Sequence, residues 1–152
     1  MKDRYLILDC YVDEPACLGV PPFISHYPRY LYGALLDAGV TEERIDYLTI
    51  DSVRESGFRV GQGYSMAFLI GGAAVPGKYL GYRIGTLAEI HRVIAANPRL
   101  GFAVGGWISR IVDCASLKNA RAVGGDIEKF AFTTATGVPL DTTRTYGEIS
   151  RW

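Results

Sequence analysis

Ser65-Met66-Ala67-Phe68-Leu69-Ile70-Gly71-Gly72 is an apolar run of strand length closed by a glycine pair. It has no wet, alternating face, so it suits a strand covered on both sides, as in a parallel sheet. The same design returns twice. Leu100-Gly101-Phe102-Ala103-Val104 leads into Gly105-Gly106, and Ala120-Arg121-Ala122-Val123 leads into Gly124-Gly125. Upstream, Tyr5-Leu6-Ile7-Leu8-Asp9 is a similar run without the glycines. Ile45-Asp46-Tyr47-Leu48-Thr49-Ile50 alternates apolar and polar residues, as a strand nearer an edge does.

Helical patterns separate these runs. Pro28 suits a first helical turn. Leu31, Ala34, Leu35 and Ala38 then fall at i, i+3, i+4 and i+7, one apolar stripe, and Gly39 closes the helix. Thr86 caps a helix that carries Leu87, Ile90 and Ile94 on one face and stops at Asn97-Pro98. Residues 108–118 read as a further helix, and Asp126 caps one through Phe132. Residues 51–62 are polar and read as a short helix or an irregular crossover. Strands alternating with helices define an α/β layer fold around a parallel sheet. Residues 1–135 form this domain. Residues 136–152 are polar and weakly patterned, a tail or linker.

With 152 residues, 49% of them hydrophobic and 21% charged, the chain has the size and composition of one globular domain, not of a disordered segment. Sixteen basic residues balance sixteen acidic ones. Residues 1–76 carry 6 basic and 10 acidic side chains and residues 77–152 the reverse, but the basic ones are scattered. Neither a phosphate-tracking groove nor a field that attracts anionic lipid is expected. The longest uncharged apolar stretch, residues 66–75, is half of the roughly 20 residues a membrane-spanning helix needs. The start of the chain lacks a signal-peptide layout. Three cysteines, Cys10, Cys17 and Cys114, are too few for a disulfide scaffold. A cytoplasmic protein is expected.

In parallel α/β sheets, ligands bind beyond the carboxyl ends of the strands, where the strand order reverses. Glycine at that edge either makes a tight turn or lets a ligand approach the backbone. Around the first pair, Gly72-Ala73-Ala74-Val75-Pro76-Gly77-Lys78-Tyr79 comes close to a phosphate-binding P-loop. The Ser or Thr needed after the lysine is replaced by Tyr79, and no helix opens on cue. Gly61-Gln62-Gly63 lacks the third glycine of a dinucleotide turn and precedes a strand rather than a helix. Cys10 and Cys17 are seven apart, wider than ordinary metal-ligand spacing. His26 stands just before the first helix, and these three are the weak metal candidates. His91 reads as a packed residue at a helix boundary. Asp9, Asp13 and Glu14 gather near the end of the first strand, where carboxylates serve as acid/base groups or remain solvated loop charges.

Leu8-Asp9-Cys10-Tyr11-Val12-Asp13-Glu14-Pro15-Ala16-Cys17-Leu18-Gly19-Val20-Pro21-Pro22 and Gly71-Gly72-Ala73-Ala74-Val75-Pro76-Gly77-Lys78-Tyr79-Leu80-Gly81 resemble matching stretches of an uncharacterised radical SAM family. Gly105-Gly106-Trp107 fits it less specifically. Members look like a cobalamin-binding-type Rossmann domain, then a radical SAM barrel, then a helix-hairpin-helix segment. The resemblance implies a three-layer, flavodoxin-like or Rossmann-like domain with a five-stranded, mainly parallel sheet in the order 2-1-3-4-5. It also implies an accessory role: holding a corrinoid or a substrate over the carboxyl edge. Catalysis would lie in a barrel beyond Trp152 or on a separate chain, with its own [4Fe–4S] cluster and S-adenosylmethionine, because CxxxCxxC is absent here. The implied site comprises Gly71, Gly72, Val75, Gly77, Lys78, Tyr79, Gly105, Gly106 and Trp107, with Asp13 and Glu14 on the opposite wall. The Asp-x-His-x-x-Gly motif that ligates cobalt is missing, so cobalamin would bind without a histidine lower ligand. The alternatives are a cofactor-free interaction domain that docks the barrel or a second copy of the chain, a phosphate or small-molecule binder using Lys78, and an iron–sulfur site at Cys10 and Cys17.

Overall fold

The computed structural model describes residues 3–10, 26–72 and 85–138. Five parallel strands form one sheet: β1 (Tyr5–Asp9), β2 (Ile45–Thr49), β3 (Met66–Ile70), β4 (Phe102–Gly105) and β5 (Ala120–Ala122), in the order β2-β1-β3-β4-β5. The α/β class and the 2-1-3-4-5 order expected from the sequence are therefore present. Both β1–β2 and β1–β3 are paired in register from Tyr5, which aligns with Ile45 and with Met66.

Four helices cover the sheet: α1 (His26–Asp37), α2 (Ile50–Glu55), α3 (Leu87–Ala96) and α4 (Ile127–Thr136). Alternate residues of β1, β3 and β4 enter one of two cores. Leu6, Leu8, Ala67, Leu69, Phe102 and Val104 pack with Ile50 and Val53 of α2 and Ile90, Val93 and Ile94 of α3. Tyr5, Ile7, Phe68, Ile70 and Ala103 pack with Leu31 and Leu35 of α1 and Ile127 and Ala131 of α4. This is a three-layer sandwich. It explains why every residue of β1 is buried and why its sequence has no polar alternation.

Helix ends follow local chemistry. Thr86 and Glu89 form a reciprocal capping box at the start of α3. Gly39 takes φ +82° after α1, and Gly137 takes φ +67° after α4. Two sequence expectations need correction. Residues 108–118 form only a 3-10 turn, Trp107–Arg110, followed by turns. The backbone there has other partners: the Ile108 amide donates to Gly71 O at 3.1 Å, and the Ser116 hydroxyl donates to Asp113 O at 2.9 Å. Conversely, α4 runs past Phe132 to Thr136. The Thr134 and Thr136 hydroxyls return to the carbonyls four residues back, and Asp126 pairs with Lys129 at 2.8 Å rather than capping through its side chain. Among the described residues no helix is long and apolar enough to cross a membrane.

Candidate functional site at the carboxyl edge

All five strands end at one edge, and the order reverses between β1 and β3. At this edge Gly71 and Gly72 are buried. A Cβ on Gly71 would lie 2.5 Å from Ile108 Cγ2 and 3.1 Å from Ile90 Cδ1. A Cβ on Gly105 would lie 2.6 Å from Ile127 Cδ1. Gly106 has φ +78°, and its missing Cβ would lie 2.5 Å from Gly71 O. The 3-10 turn thus folds over the end of β3, and its isoleucine fills the corner. The Gly71 amide already donates to Gly105 O at 3.2 Å, and Gly71 O accepts from Ile108. At β3 and β4 the glycines let protein pack on protein. A ligand at these two corners would have to approach the backbone from a side other than the one Ile108 and Ile127 fill.

The third pair differs. Neither Gly124 nor Gly125 has an atom within 4 Å of its would-be Cβ. They line a cleft of about 300 Å³ with Tyr27 at the start of α1, Glu128 of α4, and Trp107 and Arg110 of the 3-10 turn. Trp107 is 53% exposed, and the Arg110 guanidinium lies 4.9 Å from its ring centroid. The Ser109 hydroxyl donates to Gly106 O at 2.8 Å and holds the turn. Trp107 lies on the carboxyl edge, at the end of β4 and beside the residues that follow β5. Arg110, Gly124 and Gly125 are absent from the residues that the sequence singled out for the site. The repeated glycine pair was the signal for the last two.

Asp9 ends β1 on the face of Tyr5 and Ile7 and is 1% exposed, the one buried charged side chain among the described residues. The Tyr47 hydroxyl donates to its Oδ2 at 2.9 Å. Burial, and then the charge of Asp9, push the Tyr47 phenol well above its ordinary range. Asp9 is thus not a solvated loop charge. Tyr47 aligns with Ile7, shares its face, and reaches one pleat forward.

Cys10 is fully buried in the core beneath α2 and α3, and burial raises its thiol far above the usual value. A thiol in that setting packs as a small apolar group. Among the described residues no group of three His, Cys, Asp or Glu side chains is placed to hold a metal. Asp13, Glu14, Cys17, Val75, Gly77, Lys78 and Tyr79 lie outside the described residues, as does the His26 side chain.

No family model matches the chain, and no solved structure matches it. It is 47% identical over 96 residues to an uncharacterised protein of Methanocaldococcus jannaschii, a match covering 62% of this chain and 17% of that protein. It is 51% identical over 80 residues to an uncharacterised protein of Archaeoglobus fulgidus, covering 49% of this chain and 14% of that one. The chain therefore spans under a fifth of the length of the curated relatives that it matches.

Proposed function

We propose that this chain is the accessory α/β domain of a longer radical SAM protein, and that it holds part of the substrate at the β4–β5 end of its carboxyl edge. The observation that carries the reading is the cleft roofed by Trp107 and floored by Gly124 and Gly125. An open glycine floor permits close approach, an exposed indole offers a planar face, and Arg110 supplies a charge beside it. The length of the two archaeal relatives agrees with a domain that works within a larger polypeptide. The sequence resemblance supplies the radical SAM part.

Cobalamin is the cofactor that the resemblance implies. The described part of the edge does not fit a whole corrin ring. Ile108 and Ile127 stand where side chains on Gly71 and Gly105 would, and the cleft beside Gly124 and Gly125, about 300 Å³, sits at the lower end of small-ligand pockets. A single flat group fits that space better. No step is routed through a corrinoid, and the reacting chemistry belongs to the rest of the polypeptide.

Two measurements test this. The full-length Methanocaldococcus relative, reconstituted anaerobically with iron and sulfide, is expected to show the broad visible absorption of a [4Fe–4S] cluster. A colourless protein would remove the radical SAM assignment. The present chain, mixed with hydroxocobalamin and freed of excess, is expected to retain no stoichiometric chromophore. With Trp152→Phe leaving Trp107 as the only tryptophan, retained colour and quenched Trp107 emission would instead place a corrinoid at the cleft.

A second reading, a cofactor-free docking face, is favoured by Trp107 and Ile111, both more than half exposed and four residues apart. It differs from the first in what covers the indole: another domain rather than a small molecule.

A further inference from the structure

The opposite edge of the sheet carries a second and larger cleft, about 410 Å³, between the loop before β3 and the turn before β4. We propose that it binds a small phosphorylated molecule with an aromatic body. The site is independent of the carboxyl edge and of the function assigned there.

The wall charges have one sign. Arg59 and Arg99 line the cleft, no carboxylate lines it, and neither arginine has a carboxylate partner among the described residues. Nearby Asp46 is already held by Arg4 at 2.7 Å and does not offset them. The Gly61-Gln62-Gly63 stretch, which the dinucleotide pattern left unexplained, forms one side. Its three backbone amides have no partner among the described residues. Two guanidinium forks beside unpaired amides make a wall rich in donors, matched to phosphate oxygens. Val60, Tyr64, Ala96, Pro98 and Leu100 supply the apolar part of the lining, against which a ring can pack.

The cleft is also held in shape, which limits the ordering cost of binding. Asn97 ends α3 and clamps the loop opposite. Its Nδ2 donates to Phe58 O at 2.9 Å and to Val93 O at 2.7 Å, and its Oδ1 accepts from the Val60 amide at 3.1 Å. Asn119 Nδ2 ties the far turn to Asn97 O and Leu100 O, at 3.0 and 2.9 Å. The volume lies within the ordinary range for small-molecule pockets.

The test uses the whole chain, labelled with ¹⁵N, with phenyl phosphate and adenosine 5′-monophosphate as probes and adenosine and inorganic phosphate as controls. Both probes are expected to shift the amides of residues 59–64 and 97–100 saturably, and the controls to bind at least tenfold more weakly. Arg59→Gln with Arg99→Gln is expected to weaken probe binding at least tenfold, with the rest of the spectrum unmoved. The corresponding pair of lysines, which keeps the charge and loses the fork, is expected to fall between. Trp107→Ala is expected to leave the affinity unchanged. Shifts no larger than those from sodium chloride of equal ionic strength, shifts mapped to the carboxyl edge, or unchanged affinity in the glutamine pair would overturn the proposal.

Discussion

Asp9 is the residue whose setting is least typical of its kind. A carboxylate that is 1% exposed is tolerated only with hydrogen-bond partners, and the Tyr47 hydroxyl is one of them. Tyr47 is itself nearly half exposed, so removing its hydroxyl changes little else. Tyr47→Phe is expected to lower stability by about 1.5 kcal/mol, the low end for a hydrogen bond to a charged group, because the tyrosine is half in solvent. Asp9→Ala also leaves the Tyr47 hydroxyl without this acceptor and removes buried volume, so its expected cost is larger, about 2–3 kcal/mol. Urea denaturation of both variants checks the order. A Tyr47→Phe protein with an unchanged midpoint would show that the bond adds nothing. The sequence contained a sign of this burial. Residues alternate along β1, so Asp9 shares a face with Tyr5 and Ile7, both core residues.

Among the elements, α3 is the best determined by local chemistry. Thr86 Oγ1 accepts from the Glu89 amide at 3.2 Å, and Glu89 Oε2 accepts from the Thr86 amide at 2.9 Å. The same carboxylate takes a two-point bond from Arg54 of α2, at 2.8 and 2.9 Å, which ties the two helices together. Thr86→Ala is expected to cost about 1 kcal/mol. Arg54, then the Thr86 amide and hydroxyl, hold Glu89 down to about 2 from an ordinary 4.5. Its folded value is depressed, so its contribution is fully present above about 4.5 and is lost as the pH falls through about 2. Glu89→Gln is therefore expected to flatten the decline in stability between those two values. Equally steep acid titrations in both proteins, followed by circular dichroism, would assign the slope to other carboxylates. The capping signature was legible as Thr86 followed three residues later by Glu89. The segment after β4 was not. Ile108, Ile111 and Val112 have helical spacing, but Ile108 is drawn over Gly71 by a contact between residues 37 apart in sequence. Periodicity within one window carries no trace of such a partner.

For the molecule as a whole, alternation of strands and helices was enough to give the layers, because both faces of a parallel sheet must be covered and the sequence shows that directly. The use of the carboxyl edge was only half legible. Three glycine pairs look alike in sequence, yet Gly71 and Gly105 face isoleucines while Gly124 and Gly125 face open space. That difference depends on which side chain arrives from elsewhere in the chain, and it is the reason the proposed function is placed at the β5 end of the sheet. A comparison of single alanine variants by urea denaturation tests this most directly. Gly71→Ala, Gly105→Ala and Gly106→Ala are expected to lose about 2–4 kcal/mol each, through overpacking at all three and, at Gly106, a left-handed backbone. Gly124→Ala and Gly125→Ala are expected to stay within about 0.5 kcal/mol of the parent. Comparable losses at all five positions, or tolerance at Gly71 and Gly105, would contradict glycines that are packed over at β3 and β4 and open at β5.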